Sequence, residues 1–72
     1  MPLLECVPNV SEGRRPEVVA RLVAAVTSVP GVRLLDVSSD SDHNRSVLTL
    51  AGEPGDLHAA LLALYEPALR EI

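Results

Sequence analysis

Proline and glycine cut this 72-residue chain into five apolar segments, and the order of those segments limits its fold more than any other feature. Residues 3–7 alternate loosely, with Leu4 and Cys6 on one face and Leu3, Glu5 and Val7 on the other; Pro8, which lacks a ladder donor, is expected to end this first strand. Residues 9–15 have loop chemistry. Pro16 then supplies the fixed φ of a first helical turn, with Glu17 placed to favour the dipole, so a helix is expected over 16–28. Its apolar stripe is Val18, Val19, Leu22, Val23 and Val26, while Glu17 and Arg21 stand elsewhere at i and i+4. Pro30-Gly31 stops it, and 32–37 is β-branched and aliphatic enough for a second strand with Arg33 on a wet face. A polar run over 38–44 separates this strand from a third over 47–51, a hairpin pattern. After Gly52-Glu53-Pro54-Gly55, the residues Leu57, Leu61, Leu64, Ala68 and Ile72 mark a second amphipathic helix, which Pro67 is expected to bend.

Strand, helix, strand, strand, helix is the order of an α+β, ferredoxin-like split β-α-β sandwich, which continues with a fourth strand beside the first. That strand would be due after Ile72, so residues 1–72 are expected to form one incomplete subdomain of a larger protein. A complete small protein whose edge is shortened by Pro8, or an edge paired with a second chain, are the alternatives. At this size stability is marginal without help, and one cysteine cannot make an internal disulfide. The hydrophobic fraction of 47% comes from aliphatic residues, with Tyr65 the only aromatic, so the core is thin.

Charge and composition exclude several classes of function. Six arginines, no lysine and ten acids give a net charge of -4 without a basic cluster, which argues against nucleic acid. No apolar run approaches the roughly 18 residues of a membrane span and no secretory leader precedes the first strand, so a cytoplasmic protein is expected. The run Asp40-Ser41-Asp42-His43-Asn44 opens like a calcium loop, but Arg45 and Ala51 stand where glycine and glutamate are needed. Cys6, His43 and His58 lack the paired spacing of a zinc site, and no metal is expected.

Chemistry concentrates in two polar stretches, 9–15 and 38–45. In a split β-α-β unit the loops leaving the first and second strands lie at the same end of the sheet, so these stretches are neighbours and can bind a polar, charged small molecule. Arg45 could clamp a carboxylate through two parallel hydrogen bonds, or pair with Asp40 or Asp42. His43 is suited to acid–base work near neutral pH, or is a solvated loop side chain. Cys6 reads as a small buried hydrophobe, Ser11 lacks the G-x-S-x-G elbow of a nucleophile, and His58 falls on the wet face of its helix.

The runs Glu5-Cys6-Val7-Pro8-Asn9-Val10-Ser11-Glu12-Gly13, Leu34-Leu35-Asp36-Val37 and Ser39-Asp40-Ser41-Asp42-His43-Asn44-Arg45-Ser46-Val47 resemble the N-terminal subdomain of glutamate formiminotransferase. The resemblance implies transfer of a formimino group from N-formimino-L-glutamate to N5 of tetrahydrofolate, a co-substrate, in histidine degradation. It also implies that Arg45 and Asn44 hold the formiminoglutamate with help from Asp40, Asp42 or His43, while Asn9, Ser11 and Glu12 line the same end of the pocket. The family's catalytic histidine follows the second helix, beyond Ile72, and a second subdomain supplies much of the folate surface. The expected partners are therefore both substrates, the remainder of a transferase chain and further copies of it. Without those parts residues 1–72 are expected to be inactive alone. A non-catalytic binding or assembly module of the same fold is the alternative reading.

Overall fold

The computed structural model describes residues 3–72. Its elements are β1 (Leu4–Cys6), β2 (Asn9–Val10), α1 (Pro16–Thr27), β3 (Arg33–Asp40), β4 (Arg45–Gly52) and α2 (Pro54–Glu71). All the strand pairings are antiparallel and all are made with β4: β3 lies along one side of it, and β1 and β2 follow one another along the other. This is the α+β arrangement of a ferredoxin-like unit, with β3 and β4 as its hairpin.

The first strand ends before Pro8, as expected, but the paired edge resumes after it, within residues expected to form a loop. Pro8 removes a donor but keeps its carbonyl, which accepts the Leu48 amide at 3.0 Å, so the chain steps over Val7 and Pro8 and pairs again at Asn9↔Val47 and Val10↔Ser46. The hairpin is also longer than its apolar pattern. Ser38, Ser39 and Asp40 continue β3, and Arg45 and Ser46 begin β4, leaving a turn of only four residues. Backbone pairing needs no apolar side chains, and here the register runs through Ser39↔Ser46 to Asp40↔Arg45. An irregularity between Leu34 and Asp36 leaves Leu35 unpaired and half exposed.

The pleat divides β4 into two faces. Ser46, Leu48, Leu50 and Gly52 are buried, whereas Arg45 is exposed and Val47, Thr49 and Ala51 are partly so. Both helices cover the first of these faces. Val18, Leu22 and Val26 of α1 and Leu57, Ala60 and Leu64 of α2 close on Leu48 and Leu50, with Cys6, Val10 and Leu34 packed around them. Val19 and Val23 are half-buried at the margin of the α1 stripe, and burial raises the Cys6 thiol pKa. Ile72, read as part of the α2 stripe, is instead about half exposed, and α2 continues through Pro67. Arg21 pairs with Glu71 of α2 rather than with Glu17, because the helices pack side by side.

Among the described residues no helix is long and apolar enough to cross a membrane. Leu22 is fully buried where the two helices meet the sheet. Truncating it to alanine should cost about 2–5 kcal/mol, comparable to the roughly 3–5 kcal/mol a core of this size supplies. The expected result is a Leu22→Ala chain without a cooperative thermal transition by circular dichroism; an unchanged transition would count against this core.

Candidate functional site

The two polar stretches meet at one end of the sheet, as the topology requires. The β3–β4 turn is closed by the Asp40↔Arg45 pair, and Asp40 organises it: its Oδ1 accepts the amides of Asp42 at 2.9 Å and His43 at 3.3 Å. Its Oδ2 lies 2.6 Å from His43 Nδ1, which gives the histidine the partner that sequence reading could not identify. A carboxylate only accepts, so in this bond Nδ1 carries the proton and donates it to Asp40. The His43 bond, followed by the backbone amides and the more distant Arg45 charge, holds Asp40 below its ordinary pKa.

Asn44 ends the turn in the left-handed region, with φ 51°, which asparagine tolerates better than most residues. Its Oδ1 accepts the Gly13 amide at 2.9 Å. Gly13 is pressed so closely on the hairpin that an added Cβ would stand 2.6 Å from the Asp40 carbonyl and 2.7 Å from the Arg45 nitrogen and carbonyl oxygen. Those neighbours are backbone atoms and cannot swing away. The buried Ser46 hydroxyl donates to the Glu12 carbonyl and meets Ser39 Oγ at 2.8 Å, while Arg14 Nε donates to the Ser41 carbonyl at 2.8 Å.

Glu12 is almost wholly buried, and its carboxylate is used within its own loop. Arg15 donates to Oε1 from Nε at 2.8 Å and from Nη2 at 2.5 Å, and the amides of Arg14 and Arg15 donate to Oε2. The arrangement braces the loop immediately before α1, whose N-cap residue Arg15 makes no side-chain cap bond and instead accepts the Val18 and Val19 amides on its carbonyl. The Arg15 guanidinium, with smaller help from the amides, lowers the Glu12 pKa despite its burial. Arg15 also donates to the Glu71 carbonyl at 2.8 Å, which draws the end of α2 to this end of the sheet.

Arg45 and Asp42 are exposed, and Arg45 makes no ion pair among the described residues; the nearby Asp40 is taken by His43. Asn9 and Ser11 are placed apart from the turn. They line a groove of about 670 Å³ between the outer edge of β2 and α2, together with Pro8, Val10, His58, Leu61, Tyr65 and Leu69. Asn9 Nδ2 donates to the Val7 carbonyl at 3.2 Å. His58 is exposed, as expected of the wet face, but that face borders the groove. Sequence reading passed over Ser46, Ser39 and Gly13. No group of three or more His, Cys, Asp or Glu among the described residues gathers to hold a metal ion.

Comparison with known proteins supplies a family. Residues 3–72 match the family model described as formiminotransferase domain, N-terminal subdomain. The chain is 47% identical over 70 residues to a glutamate formimidoyltransferase of Streptococcus pyogenes, an alignment covering 97% of this chain and 23% of that protein. It is 55% identical over 49 residues to the glutamate formimidoyltransferase of Thermoplasma acidophilum, covering 68% and 16% respectively. Against the formimidoyltransferase-cyclodeaminase of Mus musculus it is 46% identical over 66 residues, covering 85% and 12%. The chain thus spans less than a quarter of the length of these relatives.

The Glu12 geometry fixes the acid behaviour of the fold. The folded carboxyl has a lowered pKa, so as pH falls the unfolded chain takes up this proton first. Its stabilisation is present above the ordinary glutamate range and is lost as pH falls through the lowered folded value. Urea midpoints measured from about pH 7 to about pH 3 should decline less steeply for Glu12→Gln than for the natural sequence, with a lower midpoint at neutral pH. Parallel curves would show the Glu12–Arg15 pair to be immaterial. Gly13→Ala should lower the midpoint as well, because its Cβ has no room.

Proposed function

Because this chain belongs to the formiminotransferase family as an N-terminal subdomain, we propose that it holds N-formimino-L-glutamate for transfer of the formimino group to N5 of tetrahydrofolate. The observation that carries this reading is Arg45: an exposed guanidinium, without an ion pair among the described residues, on a closely bonded hairpin. A fork of donors in that state matches a substrate carboxylate, and binding both carboxylates of a glutamate would fix the formimino carbon for attack. Asn44 keeps its Nδ2 donors for the ligand while Oδ1 holds Gly13. The Asp40–His43 pair and Asp42 border the same place, Asn9 and Ser11 extend it toward the groove, and Glu12 supports it from beneath.

Attack by N5 on the formimino carbon forms a tetrahedral intermediate, and its collapse breaks the bond to the glutamate nitrogen, which must take up a proton as it leaves. In this reading a histidine following α2 supplies that proton. The placement of α2 supports it: the helix runs back along β4 and ends at Glu71, bonded to Arg15 beside the polar loops, so residues following it would enter at the Arg45 end. The remainder of a transferase chain would cover the groove against α2, where Leu62, Tyr65 and Leu69 are exposed.

Calorimetric titration of the purified chain with N-formimino-L-glutamate should show weak binding that Arg45→Ala reduces about tenfold or more, the loss of a charge-assisted contact. With tetrahydrofolate added, no formimino transfer should be seen. Equal binding by Arg45→Ala would make the arginine structural, and turnover by the isolated chain would overturn the assignment of proton transfer to a residue beyond Ile72.

A further inference from the structure

The loop containing Glu12 and Gly13 touches the hairpin at three consecutive residues. Asn44 accepts the Gly13 amide, Arg45 has its main chain pressed against the Gly13 Cα, and Ser46 donates to the Glu12 carbonyl. Arg45 is thus bracketed on both sides by bonds to one short segment. That segment is itself braced by the buried Glu12 carboxylate and by Arg14 on the Ser41 carbonyl.

Ser46 is the buried member of this bracket. A hydroxyl has one proton, and it lies on the Glu12 carbonyl, so Ser39 must be the donor in the Ser39–Ser46 contact. The relay therefore has one direction, Ser39 to Ser46 to the Glu12 carbonyl, and crosses from β3 through β4 to the loop before α1. No apolar residue at 46 could make it, although 46 lies on the same face of β4 as Leu48 and Leu50.

We infer that Ser46 is a positioning residue for substrate recognition: through the Glu12 carbonyl it holds the Gly13 segment against Arg45, and so fixes where the guanidinium starts from on the hairpin. The recognition step itself rests on the carboxylate-binding reading above. The bracket does not, because it can be observed without ligand.

Three variants of the 72-residue chain test this: Ser46→Ala, Ser46→Thr, which keeps the hydroxyl, and Ser39→Ala, which removes only the donor behind it. The readouts are amide hydrogen exchange and the relaxation of the Arg45 Nε–H by NMR, followed by affinity for N-formimino-L-glutamate. Ser46→Ala should speed exchange at Gly13 and loosen the Arg45 Nε–H, while exchange at Leu48 and Leu50 stays as in the natural sequence. Affinity should fall about fivefold, the worth of one hydrogen bond. Ser46→Thr should restore all three, and Ser39→Ala should show the same changes at smaller size from an exposed position. If Ser46→Ala does not fold, Ser39→Ala decides.

Unchanged Gly13 exchange and unchanged Arg45 relaxation would overturn the inference. So would a uniform rise in exchange that includes Leu48 and Leu50, since that is what a purely structural serine would give. Absence of ligand binding by the natural chain would instead count against the carboxylate-binding reading, with exchange and relaxation still deciding the role of Ser46.

Discussion

Every strand of this sheet pairs with β4, and β4 can bury only one of its two faces. Leu48 and Leu50 on that face meet both helices, and through them the two helices share one core. The same alternation forces Ser46 into the buried face and Arg45 onto the other. A buried hydroxyl must be bonded, and the groups within its reach are Ser39 across the hairpin and the Glu12 carbonyl. The pleat of one strand thus sets the core, the attachment of the polar loop and the exposure of the arginine.

That attachment explains why the polar end can be ordered in a domain with so thin a core. Asp40 closes the turn on backbone amides and His43, Asn44 takes the left-handed position, Glu12 braces the loop before α1 through Arg15, and Gly13 allows the two loops to touch. The Asp40 and Glu12 bonds brace each loop from within, and Gly13 with Asn44 joins one loop to the other. Asp40 pairs with His43 and Glu12 with Arg15, Arg14 is held on the Ser41 carbonyl, and Arg45 has no ionic partner among the described residues. A site for an anionic small molecule needs such an arrangement: a frame braced by its own bonds, and an exposed guanidinium without an ionic partner beside it.

The order of elements was legible in the sequence because Pro16, Pro30-Gly31 and the 52–55 break separate segments of clear period. The neighbouring polar loops followed from that order alone. Strand ends were harder to read, since Ser38, Ser39, Asp40 and Ser46 pair through their backbones and carry no apolar pattern. Asn9 and Val10 were hidden behind Pro8, whose carbonyl keeps the edge paired. The role of Ser46 did have a signal: counting back in twos from Leu50 and Leu48 reaches it, and a serine on a buried face calls for a partner. The Asp40–His43 bond and the groove beside α2 depend on side-chain placement in space, and spacing alone gave no sign of either.

The central claim is that the ligand is held at the hairpin end, around Arg45, and not in the larger groove against α2. NMR titration of the isotope-labelled chain with N-formimino-L-glutamate maps the contact directly. Shifts concentrated at the Arg45 Nε–H, at the Asn44 side-chain amide and at His43 are the expected result. Shifts concentrated at His58, Tyr65 and Leu69 would place the ligand in the groove and contradict the account.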